Sequence, residues 1–382
     1  MKIGVSLFAQ NYTDWDRYEA MEADPSFSEP IKVPDSQIYR EQFHLGKLVE
    51  PLGFDSLWTV EHHFTPYTMV NNPFQFLSYF AACTESIEMG TMVVVAPWHD
   101  PIRVAESIIA LDYMLDGRKA KIGFGRGLGD REFNGLRSNM DDSRERFLET
   151  IDIVRLGLSE EWWSYDGKHY QIPRLTLRPQ PRTEGLADNL YCSWGSPSTL
   201  PIAANAGLKP MFIPSKDWSQ YRGELAQFNQ IRAGHGWGPE RASAVCWVYC
   251  APTEAEAYEG ASKYMIEYGD SALRHYKLGG DHFGKLKGYE YYAAVSDEIR
   301  RAEAAGAPPP SDDVYVKNHV WGTPEMCIEK LERINEQMGV EELVAVMSFG
   351  GMPVEKAEAS MRLFAQEVLP VAKGIELAPV PA

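Results

Sequence analysis

What this 382-residue sequence has little of removes whole classes of protein. Cysteine is scarce: Cys83, Cys192, Cys246, Cys250 and Cys327 are the only five. Their number is odd, none forms a close CxxC pair and none neighbours a histidine. That excludes a disulfide scaffold and a thiolate zinc site, and points to small buried side chains in a reducing compartment. Basic residues are outnumbered, 37 against 54 acidic, for a net charge of −17. No basic surface is available to replace the counterions of nucleic acid, so a nucleic-acid partner is not expected. No continuous apolar run reaches the ~18 residues that suggest a membrane span. The N-terminus lacks a basic region, apolar stretch and cleavage site and opens directly on a strand-like run, Ile3 to Ala9. A cytoplasmic protein is the expectation, with no membrane partner. Short repeats and low-complexity linkers are also missing, so residues 1–382 read as a single domain.

What is present is hydrophobic residue, 44% with 12% aromatic, arranged in alternating strand-like and helix-like segments. Strands are expected at 3–9, 55–60, 87–95, 120–125, 189–194, 209–213, 242–250 and 342–349. Between them fall helical segments at about 35–52, 74–83, 101–115, 142–158, 218–233 and 323–338, with 354–371 closing the chain. Thr253-Glu254-Ala255-Glu256 is a capping box that starts another. Residues 10–34 read as a long polar loop, and 162–182 as an irregular or hairpin excursion. Eight strands alternating with helices imply an α/β fold, a single (β/α)8 TIM barrel. The rhythm breaks from about Asp270 to Lys317, where Gly279-Gly280, Gly288 and Pro308-Pro309-Pro310 separate polar helical pieces. An insertion at about 270–317, just before the last strand, is a candidate mobile lid.

The chain is organised around Asp55 to Phe64. Asp55–Val60 has the look of a strand buried on both faces. It runs directly into Glu61, His62 and His63. In a barrel of parallel strands these residues reach the C-terminal face, where chemistry sits. Histidine is the commonest acid/base residue, although adjacent histidines at a strand end are equally served by local hydrogen bonds. Two other strand ends suggest an anion site. Gly123-Phe124-Gly125-Arg126-Gly127-Leu128-Gly129 follows the fourth strand, and Gly195-Ser196-Pro197-Ser198-Thr199 follows the fifth. Free N–H groups at a helix start, two hydroxyls and an arginine suit a phosphate. Arg274, His275, Lys277 and His282 in the insertion read as a solvated face, with a cover over the substrate as the alternative. Trp98, Trp194, Trp218 and Phe64 are candidates for an apolar pocket wall. No second cluster of Asp and His completes a metal site.

The order of several short motifs resembles the bacterial luciferase-like flavin monooxygenases. These are Gly53-Phe54-Asp55, Trp58, Glu61-His62-His63-Phe64-Thr65, Gly90-Thr91, His99, Arg103, Leu111-Asp112 and Gly117-Arg118. Arg126-Gly127-Leu128, Ser143-Arg144, Ser196, Ser198-Thr199, Lys287-Gly288-Tyr289 and Gly322-Thr323-Pro324-Glu325 continue the pattern. The resemblance implies a TIM barrel that uses O2 and reduced FMN (FMNH2) from a separate NAD(P)H:flavin reductase. A flavin C4a-hydroperoxide would then oxygenate a small or medium apolar organic substrate. It also implies site residues: Arg126, Arg144, Ser196 and Thr199 for the FMN phosphate, with the Gly195 backbone nearby. His62 would be catalytic, with His63 and His99 near it. A cis Met92-Val93 peptide would lie behind the flavin ring. The helices near 74–82 and 102–115 match the family's dimer helices, so a homodimer is expected.

The sequence departs from the luciferase subunit at Gly125, where that subunit has a reactive cysteine. Gly129 and Gly195 are departures too, the former replacing a tyrosine and the latter an acid. The glycine at 125 implies a roomier site without thiol chemistry. Rival readings are a deazaflavin-dependent hydride-transfer oxidoreductase, a non-catalytic flavin-binding protein and a metal-dependent hydrolase.

Overall fold

Parallel strands, each apolar enough to be buried on both faces, close on themselves around one axis. The structure, a computed structural model, describes residues 1–213, 215–306 and 316–381. Its strands in chain order are β1 (Lys2–Leu7), β2 (Ser56–Thr59), β3 (Glu88–Val95), β4 (Ala120–Gly125), β5 (Trp163–Asp166), β6 (Gln171–Leu175), β7 (Leu190–Ser193), β8 (Lys209–Phe212), β9 (Ser243–Cys250), β10 (Val320–Gly322) and β11 (Glu342–Val346). The barrel runs β1-β2-β3-β4-β7-β8-β9-β11, and β11 returns to pair with β1. Closure at β8–β9 is made by Met211 opposite Ser243 and Phe212 opposite Ala244. The expected (β/α)8 barrel is therefore the fold.

Helices cover the outside, and their caps are written in the sequence. Asp100 accepts from the backbone N–H of Ile102 at 2.9 Å and of Arg103 at 3.2 Å, and Pro101 opens the helix Pro101–Leu115. Asn72 caps Pro73–Ala81 in the same way, by accepting from Gln75 N–H. Thr253 caps Glu254–Tyr276 and Thr323 caps Pro324–Met338.

The N-terminal end of the barrel is closed by a buried polar cluster. Trp58 donates its indole N–H to Ser56 Oγ at 2.7 Å, and Ser56 in turn bonds Glu342. Lys121 pairs with Glu342 and, at 2.6 Å, with Glu88. Burial alone would push the Lys121 ammonium toward losing its proton, but the two carboxylates outweigh burial and raise its pKa. All five side chains of this cluster are locked by partners, so this end is a stability element and leaves the other end for chemistry.

Some expectations need correction. Residues 10–34 are not one loop. They contain a 3-10 turn, Tyr12–Asp14, and the helix Trp15–Ala23. The helix is anchored by buried Trp15, whose indole donates to Ser271 Oγ at 2.6 Å. The helix expected at 35–52 ends at Leu48. The closing helix Val354–Leu363 passes into a π turn, Phe364–Val368, before Leu369–Gly374. There Pro370 has no N–H to donate one turn back. The excursion expected at 162–182 needs no correction: it holds the β5–β6 hairpin.

The insertion also differs from expectation at its start. Asp270 lies inside the long helix Glu254–Tyr276, followed by a 3-10 turn, His282–Lys285, and the helix Glu290–Ala304. A short extra strand, β10, then pairs with the far end of β9, Val320 opposite Val248. The Pro308-Pro309-Pro310 run lies outside the described residues. The insertion is tied down by a second apolar cluster of Phe133, Met140, Phe283 and Tyr289, with Trp98 and Leu128 packed against it. No described helix is long and apolar enough to cross a membrane.

Candidate active site

The C-terminal ends of the barrel strands open into a cavity of about 530 Å³. Val60 and His62 reach it from the end of β2, Val95 from β3, Gly125 from β4 and Ser193 from β7. The helix Glu290–Ala304 of the insertion faces the same space with Tyr291, Tyr292, Val295 and Ile299. The cavity's size and mostly apolar lining fit a small organic ligand or cofactor.

One end of the cavity is cationic. Arg126 is buried, donates Nη2–H to the Gly288 carbonyl at 3.0 Å and lies 4.8 Å from the Tyr289 ring centroid. Its other terminal nitrogen, Nη1, is buried without a hydrogen-bond partner. Arg144 does not line the cavity itself but stands beside Arg126 across Gly288; it donates to Ser198 Oγ at 3.2 Å, while its Nε is likewise buried and unpartnered. Ser196 and Ser198 share a 2.9 Å hydroxyl contact, and Ser196 and Thr199 bound the cavity. Gly288 sits between the arginines with φ of +82°. A Cβ there would lie 3.0 Å from Arg144 Nη2 and 3.3 Å from Arg126 Nη1. Orphaned guanidinium donors are costly in isolation and are what a phosphate or carboxylate would satisfy.

The middle of the cavity is floored by β3 and β4. The Met92-Val93 peptide is cis, as expected, and both residues line the cavity. Gly125 does not leave the room its missing side chain suggested. A Cβ there would sit 2.6 Å from Val93 Cγ2, so the valine fills that space. At Gly195 a Cβ would lie 2.6 Å from the Tyr292 hydroxyl oxygen, so the insertion occupies the room left there.

The other side carries the titratable groups. The Glu132 carboxylate is fully buried. Its Oε1 lies 3.1 Å from His62 Nδ1 and accepts from the His63 backbone N–H at 2.8 Å. Burial would raise its pKa, but the charge and hydrogen bonds of His62 and His275 overcome that and hold it at about 2. A carboxylate ionised at neutral pH can only accept, so His62 Nδ1 carries the proton. His62 Nε2 is then the atom directed at the cavity side, 3.3 Å from the Tyr276 hydroxyl.

His275 stands behind them, fully buried, with Nδ1 2.7 Å from Thr65 Oγ1 and Nε2 3.2 Å from Glu132 Oε2. Burial depresses its pKa to about 4, so it is neutral at pH 7. The expectation that His275 lies on a solvated face is therefore corrected. His62, Glu132 and His275 also form a donor group of the kind that can hold a metal ion, which sequence reading did not find. A second such group, Asp142, Glu145 and His169, lies elsewhere and is only partly buried.

His63 and His99 do not bound the cavity. Both turn onto Glu61, reaching its Oε1 at 3.2 Å and 2.6 Å, while Val95 N–H donates to Oε2 at 2.7 Å. Burial opposes the Glu61 charge, yet the hydrogen bonds from His63 and His99 prevail and lower its pKa. His99 shifts the other way: burial disfavours its cation, and Glu61 more than restores it. Of the proposed wall residues, Trp98 and Trp194 line the cavity. Trp218 is instead buried against the Asn318 carbonyl, and Phe64 is exposed.

Glu132, Tyr276 and Thr65 are site residues that sequence reasoning missed. Glu132 lies on the short helix Asp130–Gly135, directly after the Arg126-Gly127-Leu128 motif. An acid three residues beyond the glycine-rich run that ends at Gly129 was the available signal.

Comparison with known proteins gives the family and the fold. A family model described as luciferase-like monooxygenase matches residues 1–342. The alkanal monooxygenase alpha chain of a Kryptophanaron alfredi symbiont is 27% identical over 348 residues, covering 90% of this chain and 96% of that protein. The oxygenase component of a flavin-dependent trigonelline monooxygenase from Acinetobacter baylyi is 25% identical over 350 residues, covering 87% and 90%. Among solved structures, the monooxygenase RslO1 from Streptomyces bottropensis superposes with a TM-score of 0.74 at 23% identity, over 97% of this chain and 99% of that one. The oxygenating constituent of 3,6-diketocamphane monooxygenase from Pseudomonas putida, solved with FMN, gives 0.68 at 20% over 99% of each chain. An F420-dependent secondary alcohol dehydrogenase gives 0.66 at 17%, over 97% and 99%. The structures establish the shared fold, and the match along residues 1–342 establishes the rest: the chain belongs to the luciferase-like monooxygenase family.

Proposed function

We propose that this chain is the oxygenase component of a two-component, cytoplasmic system. It takes reduced FMN from a separate NAD(P)H:flavin reductase and uses O2 to oxygenate a small or medium organic substrate. The observation that carries the reading is that one cavity is lined both by Arg126, with an unsatisfied donor and Arg144 close behind it, and by the Glu132-held His62. The residues fit the cofactor. Arg126, Arg144, Ser196 and Thr199 supply donors for a phosphate, and Gly288 leaves the space a Cβ would fill. Reduced FMN, when bound, supplies the electrons that activate O2.

The chain's own tasks follow from where its groups sit. Arg126 and Arg144 neutralise the phosphate and fix its orientation. Met92 and Val93 of β3, with Gly125 of β4 against the Val93 side chain, supply the lining on which a flavin ring would rest. The insertion helix Glu290–Ala304 covers the cavity and excludes water, the role expected of a lid. His62 accepts or donates a proton at Nε2, because Glu132 fixes the other nitrogen. Glu61, held by His63 and His99, in turn holds the Val95 N–H at the end of β3. His63 and His99 are thus positioning residues in this scheme. The helices Pro73–Ala81 and Pro101–Leu115 pack on one another and are proposed as the homodimer face.

The test is oxygen consumption coupled to NADH and a flavin reductase, with product and peroxide both quantified. FMN should support turnover better than riboflavin, which lacks the phosphate. Equal use of the two would show that the cationic end does not hold a phosphate. The deazaflavin reading shares the fold and would give substrate oxidation without oxygen uptake.

A further inference from the structure

The wall of the cavity opposite the cationic end is made of rings in contact with one another. Phe8 at the end of β1 lies 6.0 Å, ring centre to ring centre, from Tyr268 on the helix Glu254–Tyr276. Trp247 of β9 packs 4.4 Å from Tyr268. Tyr67, from the loop after β2, lies 5.7 Å from Tyr268 and 5.6 Å from Tyr276, and His62 lies 4.9 Å from Tyr67. The Tyr67 and Tyr268 hydroxyls bond each other, which fixes both rings. Tyr291, half-buried on the insertion helix, lines the same cavity.

The charge lining the cavity is one-sided. Among the described lining residues the one Lys or Arg side chain is Arg126, at the phosphate end. Glu61, Glu132 and Glu298 are the acids, with Glu298 exposed on the insertion helix. An anionic substrate would have no second cation to meet and would face carboxylates instead. A flexible alkyl chain would find the apolar area it needs but would use none of the ring geometry. Flat rings use both, since stacked and edge-to-face contacts add to the burial of area. The wall is also held in place before a ligand arrives, which spares the cost of ordering it.

We propose that this part of the cavity binds a neutral, flat, fused-ring aromatic compound carrying phenolic hydroxyls, and that this is the substrate class of the enzyme. The inference rests on the reading above, in which the cationic end takes the flavin. Thr68 Oγ1, buried on the lining without a hydrogen-bond partner, is the first polar group such hydroxyls can meet; the hydroxyls of Tyr268, Tyr276 and Ser215 already bond Tyr67, His62 and Tyr221 and have further donor or acceptor capacity.

Fluorescence titration of the full-length protein with 2-anthrol tests this, with decanal and 2-anthracenecarboxylate as competitors, each with and without FMN. The phenol should bind at least tenfold more tightly than either competitor. Tyr268→Leu and Tyr291→Leu should each weaken 2-anthrol about three- to tenfold and leave decanal within about twofold. Tyr268→Phe, which keeps the ring, should retain most of the affinity. Should Tyr268→Leu fail to fold, Tyr291→Leu on the half-exposed insertion still decides. Decanal binding as tightly as the phenol, a carboxylate matching it, or Leu variants without effect would each overturn the proposal. FMN affinity, measured in parallel, separates the two ideas. Loss of FMN binding with 2-anthrol selectivity intact refutes the flavin reading, whereas FMN binding without that selectivity refutes only the substrate class.

Discussion

Replacing Glu132 by glutamine keeps shape and removes one buried charge. Holding this carboxyl at about 2 instead of its ordinary 4.5 corresponds to about 3 kcal/mol of preferential stabilisation of the ionised form. Because the folded value is the lower one, that stabilisation is complete above pH 4.5. It is lost as pH falls through about 2. An amide has no such titration. At pH 7 Glu132→Gln should therefore be less stable by about 1.5–3 kcal/mol, the scale of hydrogen bonds to a charged group. The deficit should shrink as pH is lowered from 4.5 toward 2. His275, held at about 4 and neutral when folded, also costs stability as pH falls below 6.5. Above about pH 4 His275 stays neutral in both proteins, so there the difference curve reports chiefly on Glu132; below it the two groups, each acting on the other, titrate as a pair.

The same substitution leaves His62 Nδ1 facing an amide that can donate as well as accept, so the tautomer is no longer fixed. Product formation should drop about ten- to a hundredfold, with more peroxide released per NADH consumed. Denaturant midpoints from pH 3 to 7 and the product-to-peroxide ratio read the two effects independently. A stability deficit that does not change with pH, or an unchanged ratio, would refute the account of Glu132.

Three further outcomes are expected. Arg126→Ala removes a charged donor from the cationic end, so affinity for reduced FMN in a titration should fall about tenfold or more while riboflavin affinity changes little. His62→Ala should keep the fold and most flavin affinity but lower product formation about 10²–10⁴-fold, with peroxide rising in rapid-mixing experiments. Gly288→Ala strains a residue at φ of +82° and presses on both arginines. Its flavin affinity should fall selectively for the phosphorylated form, as competition between FMN and riboflavin would show.

Much of the fold was legible because its signals are local. Buried parallel strands are continuous apolar runs, and the helices Pro101–Leu115 and Pro324–Met338 carry their own caps and prolines. The strands were found to within a few residues for that reason. The helix Trp15–Ala23 was not, since it is polar outside and held mainly by one buried ring, Trp15, whose partner Ser271 is far along the chain. Strand β10 escaped for a similar reason. Its three residues are ordered by pairing with the end of β9, and nothing in Val320–Gly322 alone requires a strand.

The site divides in the same way. Gly-rich strand ends and a Ser-Pro helix start point to an anion cradle through backbone geometry, and the Arg126, Ser196 and Thr199 picked out by it all line the cavity. His62, His63 and His99 are equivalent in sequence as three histidines near strand ends, but the fold gives them different work. The decision is made by two carboxylates. Glu61, inside the motif, draws His63 and His99 to itself. Glu132, about 70 residues away in sequence, takes Nδ1 of His62 and leaves Nε2 toward the cavity. His275 shows the converse: among charged neighbours it reads as surface, yet its place on the inner face of Glu254–Tyr276 buries it against Glu132 and Thr65. Which histidine keeps a ring nitrogen toward the cavity is therefore a property of pairings between distant segments. A change at Glu132 should alter the chemistry of His62 more than a change at its sequence neighbour His63.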